Sequence, residues 1–288
     1  MSRTIWQDLV VENPMLIEIH RFRRRFLTFS AGNSLNSAVL ALILVCYAGL
    51  VLLVVQAKGD IPPLAVVMIQ TGVLTLFAPG MLHGAIAGER ERRSWDLLLV
   101  APISKAQIVV GKFIGALAAL GVAATFFLLP ILISAIAYRR TNWNDLIEGE
   151  AVSLTFGAAV CGLTMLFSAR VKRPFMALGA SLGTLAVLMI VLPSLIGIFG
   201  NNSLGSGMVD VFYLHPFIVL TQIMQISEDR GDYSSSYRNH FVSDPSWGWP
   251  QAFIYLAFAI ILVTWAAKTL IFAENEVKFI PKGNKADA

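Results

Sequence analysis

The sequence predicts an all-α integral membrane protein with six transmembrane helices. Of its 288 residues, 56% are apolar and only 14% are charged, whereas soluble domains carry about 25% charged residues. The mean hydropathy is +0.69, and the absence of strand patterning favours helices over a barrel. This composition excludes a disordered, collagen-like or ordinary cytosolic protein. It also predicts no nucleic-acid partner, although the pI is near 9.2.

The six predicted spans are apolar runs that meet or approach the length of a membrane helix. A bilayer core of about 30 Å requires about 20 apolar residues per helix, and these runs contain no Asp, Glu, Lys or Arg. They are residues 35–55, 64–87, 113–137, 151–169, 175–199 and 249–267. Prolines 79, 130 and 193 fall inside or near the ends of the runs, where membrane helices tolerate a kink.

The placement of Lys and Arg predicts the orientation of these spans. Of the 22 basic residues, 17 lie on one set of alternate segments and five on the other. The basic set is 1–34, 88–112, 170–173 and the tail after 267, and the other set is 56–63, 138–150 and 200–248. We therefore expect a multi-pass protein of the cell (inner or plasma) membrane with both termini in the cytoplasm. Its parts are a cytoplasmic N-terminus (1–34), a transmembrane domain (35–267) and a cytoplasmic tail (268–288).

The external segment 200–248 is predicted to contain a short helix that starts at Pro216. Phe217, Leu220 and Met224 share one face of this helix, which suits a helix dipping into the outer leaflet. Residues 208–226 are apolar enough to suggest a seventh span, but that span would place the C-terminal lysines outside. We therefore favour an external helical segment before the last span.

Residues 13–29 predict an amphipathic helix that lies on the inner leaflet. Asn13 and Pro14 suit the N-cap and the first helical position, and apolar residues recur along one face. The other face is mainly basic, and its arginines are expected to reach lipid phosphates. These membrane-interface residues are Arg21, Arg24 and Arg25. The same cluster could simply set the orientation of the first span, and the two roles are compatible.

The cytoplasmic loop 88–112 predicts a short helix over about 95–101. Ser94 can cap this helix and Pro102 ends it, while Ser104 and Gln107 form a capping-box pattern that opens the third span. The helix exposes apolar side chains, including Trp95, Leu97 and Leu98. Such a surface predicts either a protein partner or burial in the lipid headgroups, and the residues alone leave both possibilities open.

The run GERERRSWDLLLVAPISKAQIVVGK (88–112) resembles the cytoplasmic loop of type-2 ATP-binding-cassette (ABC) transporter permeases. In that family a Gly-Glu-Arg-Glu motif precedes a short coupling helix, followed by Pro-hydrophobic-Ser and a Gly-Lys pair that enters the third span. The run NPMLIEIHRFRRRF likewise resembles the family's N-terminal elbow helix. Arg93-Ser94-Trp95 departs from the family, which more often has a small residue, Thr, and Leu or Met.

The resemblance implies roles for residues of this loop. The charged run would lie at the boundary between the membrane and a separate ATPase, although a solvated charge cluster is the simpler alternative. This run is Glu89, Arg90, Glu91 and Arg92. The helix that contains Trp95, Leu97 and Leu98 would seat in a groove of the ATPase. The resemblance also implies a homodimer, or pairing with a similar permease, among membrane lipids.

Two absences in the sequence favour a separate source of energy. The chain has no Gly-x-x-x-x-Gly-Lys-Ser/Thr run, so we expect no cofactor on it, with ATP and Mg²⁺ bound by the partner ATPase. The middles of the predicted spans carry no carboxylate or lysine, which disfavours an ion-coupled carrier. We therefore predict a non-enzymatic permease subunit of an ABC exporter. The alternatives are a non-transporting scaffold or assembly factor, and a secondary carrier.

Small residues recur at four-residue spacing in the second span. Gly80, Gly84 and Gly88 form a double small-xxx-small pattern that lets helix backbones approach closely. The pattern suits packing within one subunit, or a seam between two copies. The four histidines show no metal-binding spacing, so we expect no metal site.

Overall fold

The computed structural model describes residues 34–91, 104–138, 141–194, 214–231 and 248–278. All regular structure in these ranges is helical, which confirms the predicted all-α class for this part of the chain. The helices are α1 (Ser34–Gln56), α2 (Pro63–Leu82), α3 (Ala87–Glu91), α4 (Lys105–Ala137), α5 (Trp143–Arg170), α6 (Pro174–Ala186), α7 (Pro216–Gly231) and α8 (Gly248–Lys278). Helix α6 continues into a π-helical turn over Val187–Val191.

Five helical stretches within the described residues are long and apolar enough to cross a membrane. They are Pro63–Glu91, Lys105–Ala137, Trp143–Arg170, Pro174–Ser194 and Gly248–Leu270. The chain is therefore a multi-pass membrane protein. Helix α1 contributes the shorter apolar stretch Ala41–Gln56. The first predicted span, at 35–55, which would bring the number of spans to six, therefore stays a prediction. The predicted elbow helix (13–29) and coupling helix (95–101) lie outside the described residues.

Helix α4 begins with the capping box that the sequence predicts. Ser104 Oγ accepts the Gln107 N–H at 3.2 Å, and Gln107 Oε1 accepts the Ser104 N–H at 2.8 Å. These bonds satisfy two amide groups that have no partner in the first turn of a helix. The helix has 33 residues, which corresponds to about 50 Å at 1.5 Å per residue. It is therefore longer than the roughly 30 Å hydrocarbon core of a bilayer.

Helix α5 lies at the centre of the bundle because its small residues let neighbouring helices come close. A Cβ atom added at Gly162 would lie 3.1 Å from the Ala259 carbonyl oxygen of α8. One added at Gly157 would lie 2.7 Å from Leu120 Cδ1 of α4. Small residues at helix contacts allow close backbone approach, which is the main way membrane helices gain packing energy.

The structure places carboxylates inside α5 that the sequence analysis assigned to a loop over 138–150. Helix α5 starts at Trp143, eight residues before the predicted span, and Asn142 caps it by accepting the Asn144 N–H at 3.1 Å. Glu148 is buried and its Oε1 accepts the Trp249 N–H at 3.0 Å, which caps the start of α8. Because this partner is about 100 residues away in sequence, the local pattern could not reveal the interaction.

Helix α7 begins at Pro216, as the sequence predicts, but its apolar face has a different environment. We expected this face to dip into the outer leaflet. Instead Leu220 of this face is fully buried, and Phe217 and Met224 are partly buried. The neighbouring Val219 and Ile223 are buried as well, and the helix contacts α2, α5 and α8. Leu220 fits above Gly149 of α5, where an added Cβ would lie 3.4 Å from Leu220 Cδ2. The face therefore contributes to the protein core.

The described charged residues separate toward the two ends of the bundle. We call the end formed by residues 83–91, 104–112, 168–174 and 265–270 the basic end. It carries Arg90, Lys105, Lys112, Arg170, Lys172, Arg173 and Lys268 together with Glu89 and Glu91. The other end, the acidic end, carries Asp60, Asp145, Glu148, Glu150 and Glu228 together with Lys58. The side of the membrane that each end faces stays a prediction.

Candidate functional site

A buried serine fixes the turn between α2 and α3 at the basic end. Ser168, near the end of α5, is fully buried, and its Oγ donates to the His83 carbonyl oxygen at 2.9 Å. The same Oγ accepts the Ile86 N–H at 3.0 Å and the Ala87 N–H at 3.2 Å. A hydroxyl has one donor and two acceptor lone pairs, so all of its hydrogen-bonding capacity is used. The start of α3 is therefore fixed to α5.

An ion pair connects α3 to α4. Lys112 Nζ lies 2.5 Å from Glu89 Oε1, and the Lys112 side chain is only 9% exposed. Nζ also donates to the Ala85 carbonyl oxygen in the turn before α3. A buried ammonium group needs such compensation, because leaving water costs a charge several kcal/mol in effective terms. The pair therefore holds α3 against α4 at a point where water screens it weakly.

Two arginines extend the connections to α5 and α8. The Arg90 guanidinium donates to the Ala169 carbonyl oxygen at 2.7 Å, which satisfies a carbonyl in the last turn of α5. The Arg170 guanidinium carbon lies 4.3 Å from the centroid of the Trp265 ring in α8, within the range of a cation–π interaction. A continuous set of contacts therefore runs from α3 to α4, α5 and α8. We call these contacts the basic-end network.

Only some of the site residues predicted from the sequence belong to the basic-end network. Glu89 and Arg90 lie in α3 and belong to the basic-end network, whereas Glu91 is exposed. The other predicted residues of the loop and of the N-terminal segment lie outside the described ranges. They are Arg92, Trp95, Leu97 and Leu98 of the loop, and Arg21, Arg24 and Arg25 of the N-terminal segment.

The three predicted packing glycines do not share one continuous helix. Gly80 lies in α2, Gly84 in the turn and Gly88 in α3. Added Cβ atoms at Gly84 and Gly88 would meet Pro174 of α6 at 4.0 and 3.9 Å, which is ordinary contact within the chain. Gly80 is exposed, with no described atom within 4 Å of an added Cβ. A role for these glycines between two subunits stays a prediction.

Sequence reasoning missed four members of the basic-end network, namely Lys112, Ser168, Arg170 and Trp265. Lys112 appeared only as part of the family-like Gly-Lys pair, Arg170 only as one of the basic residues that predict the orientation, and Trp265 carried no signal. The ion-pair partner of Lys112 lies 23 residues away in sequence, the partners of Ser168 lie 81 to 85 residues away, and Arg170 and Trp265 are 95 residues apart. A polar residue close to the end of an apolar run was the one available indication for Ser168.

The interactions of the basic-end network are of kinds that hold the ends of helices together. It consists of one ion pair, one cation–π contact and hydrogen bonds to helix termini. Within the described ranges, no group of three or more His, Cys, Asp or Glu residues could hold a metal ion. The side chains that meet here hold helix ends together. A displacement of α3 would therefore also displace α4 and α5.

The fold and this site define a multi-pass membrane protein with a short helix bound firmly to one end of its bundle. The family model for the ABC-2 family transporter protein matches residues 69–277, from within α2 to the end of α8 and well over half of the chain. The chain belongs to the ABC-2 family of transporter proteins, and is thus a membrane component of ATP-binding-cassette transport. No curated protein matches the chain.

Proposed function

We propose that this chain is the permease subunit of an ATP-driven exporter, and that a separate ATPase subunit supplies the energy. The observation that supports this proposal is the basic-end network. It ties both flanks of the segment 92–103 to the membrane-crossing helices: α3 on one side, through Ser168 and Arg90, and α4 on the other, through Lys112.

The network gives the proposed ATPase a route to the spans. If the segment 92–103 seats in the ATPase, closure of that subunit displaces α3 and the start of α4 together, because Glu89 and Lys112 join them. Arg90 and Ser168 carry the displacement to α5, and Arg170 carries it on to Trp265 of α8. Packed helices move as rigid bodies rather than deform, so a small shift at the basic end reorients whole spans.

Export is the direction that suits the apolar surface of the spans. Charged side chains concentrate at the two ends of the bundle, and large apolar side chains are exposed along α4, α6 and α8. A substrate collected from the membrane would itself be apolar. Such molecules enter a bilayer spontaneously, so their removal is the step that requires ATP.

We propose that two copies of the chain, or one copy and a similar permease, form the complete pathway. Helix α6 presents an exposed face on which Phe175 is 82% exposed. Added Cβ atoms at Gly179 and Gly183 would meet no described atom within 4 Å. A face with small residues lets a second helix approach closely, which suits a subunit contact.

A secondary carrier is the competing function, and the buried carboxylates of α5 are the observation in its favour. Each of two carboxylates, however, has a partner that suits a structural role. Glu148 caps α8, and Glu150 Oε1 accepts a hydrogen bond from Gln70 Nε2 at 2.9 Å. These two hydrogen bonds give Glu148 and Glu150 a structural role that requires no relay of ions.

The orientation of the chain is tested by cysteine labelling. In a chain that lacks Cys46 and Cys161, we expect Ser206→Cys to react with a membrane-impermeant maleimide from outside. We expect Lys285→Cys to react only after the membrane is opened, because the excess of basic residues keeps the basic side in the cytoplasm. Labelling of Lys285→Cys in intact cells would contradict the proposed orientation.

The contact with the ATPase is tested by Leu98→Asp. We propose that Leu98 is buried against the ATPase, where an unpaired charge costs several kcal/mol, enough to abolish a modest interface. The variant should insert normally and lose ATPase association in a pull-down from mild detergent. Leu98→Met keeps an apolar side chain of similar volume and should retain the ATPase. Equal recovery of the ATPase with both variants would show that this helix is not the coupling element.

A further inference from the structure

Polar side chains join α2 to α5 toward the acidic end of the bundle, away from the basic-end network. Gln70, in the third turn of α2, is fully buried, and its Nε2 donates to Glu150 Oε1 of α5 at 2.9 Å. Nε2 also lies 3.4 Å from Ser153 Oγ, one turn further along α5. Glu150 lies about 10 Å from the start of the membrane-crossing stretch Trp143–Arg170, at 1.5 Å per residue. The contact therefore belongs to the spans and not to a loop.

Two oxygen atoms of this pair are buried without a hydrogen-bond partner among the described residues. They are Gln70 Oε1 and Glu150 Oε2. An amide oxygen and an ionised carboxylate can only accept hydrogen bonds, so these two atoms cannot satisfy each other while Glu150 is ionised. A buried acceptor without a donor costs free energy, and a buried charge without a partner costs much more. The ionised form of Glu150 is therefore disfavoured at this position.

No described basic group compensates a negative charge on Glu150. Helix α2 has no ionisable residue, and neither has the stretch from α6 to Ser194. The other described carboxylates toward this end are Asp60, Asp145, Glu148 and Glu228. The remaining described ionisable groups on the surrounding elements are Lys58, Tyr138, His215 and Tyr255. None of these eight groups forms a hydrogen bond or an ion pair with Glu150, and the four carboxylates disfavour a further negative charge.

We propose that Glu150 is a proton-binding site, and that its neutral carboxyl group exchanges two hydrogen bonds with the Gln70 amide group. Gln70 Nε2 already donates to Glu150 Oε1, and a proton on Glu150 Oε2 supplies the donor that Gln70 Oε1 lacks. The terminal torsions of Glu and Gln side chains are broad, so the two flat groups can turn edge to edge. One proton then removes the buried charge and satisfies both unpaired oxygen atoms.

The protonated pair holds α2 against α5 at a second level of the bundle. At the basic end, Ser168 of α5 binds the His83 carbonyl oxygen just after α2. Ser168 and Glu150 are about 27 Å apart along α5 at 1.5 Å per residue, so the two connections fix both the position and the direction of α2. Loss of the proton at alkaline pH replaces one connection by a buried charge. The pair is therefore a pH-sensitive connection, and it does not depend on the proposed role in transport.

Infrared spectroscopy of the purified full chain tests the protonation of Glu150. A protonated carboxyl group has a C=O stretching band that is separate from the bands of ionised carboxylates. We expect this band in the wild type at neutral pH and its loss in Glu150→Gln. Asp60→Asn removes an exposed carboxylate toward the same end, and this control should keep the band. Gln70→Leu should shift the band to higher frequency, because the acid loses its hydrogen bonds to the amide. An unchanged band in Glu150→Gln, no band in the wild type, or an unshifted band in Gln70→Leu would overturn the proposal.

Thermal unfolding in detergent tests the pH-sensitive connection. In Glu150→Gln an amide group can exchange two hydrogen bonds with Gln70 and never ionises, so this variant should unfold no lower than the wild type at neutral pH. The folded wild type binds a proton that the unfolded chain has released, so its stability falls as the pH rises. From neutral to alkaline pH, we expect its unfolding midpoint to fall by several degrees more than that of Glu150→Gln. Parallel pH profiles, or a wild type that gains stability over the variant as the pH rises, would overturn the proposal.

Discussion

Replacement of Lys112 by glutamate is expected to reduce the ATP turnover of the assembled transporter at least tenfold. The Lys112 side chain is 9% exposed and its Nζ lies 2.5 Å from Glu89 Oε1. The variant places two carboxylates at this point, and loss of one partner of a buried pair costs about 3–5 kcal/mol. Because Glu89 is 26% exposed, we expect the lower part of this range. Helix α3 should separate from α4, so movement of the ATPase would no longer displace these two helices together.

The reversed pair Glu89→Lys with Lys112→Glu provides the matched test of this prediction. It restores the attraction between α3 and α4 and should recover part of the turnover. Recovery is expected to be incomplete, because a glutamate at 112 cannot donate to the Ala85 carbonyl oxygen as Lys112 does. Lys172→Glu, at an exposed position of the same end, is the control and should change turnover little. Full turnover by Lys112→Glu at a normal level in the membrane would contradict the role of the ion pair.

Replacement of Gly162 by leucine is expected to lower the stability of the purified chain. The new Cβ would lie 3.1 Å from the Ala259 carbonyl oxygen and 3.3 Å from Leu262 Cβ, and three further carbon atoms would follow it. Helices α5 and α8 must then separate along their contact. Overpacking of a close contact costs about 1–3 kcal/mol, so the unfolding midpoint of the purified chain in detergent should fall by several degrees.

Gly121→Leu is the control for this effect. Gly121 lies in α4, and an added Cβ there would meet no described atom within 4 Å. The same change in side chain and helix propensity then occurs without a clash, so the midpoint should stay close to that of the wild type. If Gly162→Leu and Gly121→Leu unfold at the same temperature, the close approach of α5 and α8 does not limit stability.

The sequence predicts most of the helices because their signals are local. Apolar runs define the spans, the Ser104 and Gln107 pair marks the start of α4, and Pro216 marks the start of α7. The first turns of α5 could not be predicted in this way. The carboxylates in these turns predict a loop, because their partners are distant in sequence. Gln70 is the partner of Glu150, and Trp249 is the partner of Glu148.

The candidate site was predictable only in part for the same reason. Glu89 and Arg90 stand in a charged run that the family resemblance makes conspicuous. Ser168 sits in an apolar helix, and its importance depends on three backbone groups more than 80 residues away. The amino-acid sequence does not indicate that the Ser168 hydroxyl group contacts a turn that is distant along the chain.

Purification of the tagged chain in mild detergent, followed by mass spectrometry and an ATP hydrolysis assay, tests the central proposal most directly. We expect a second chain with a Gly-x-x-x-x-Gly-Lys-Ser/Thr phosphate-binding loop to co-purify, and ATP hydrolysis to follow that chain through the preparation. When the second chain is removed, the folded permease should hydrolyse no ATP. Hydrolysis by a preparation free of other chains, or a folded chain that recovers no nucleotide-binding partner, would contradict the account.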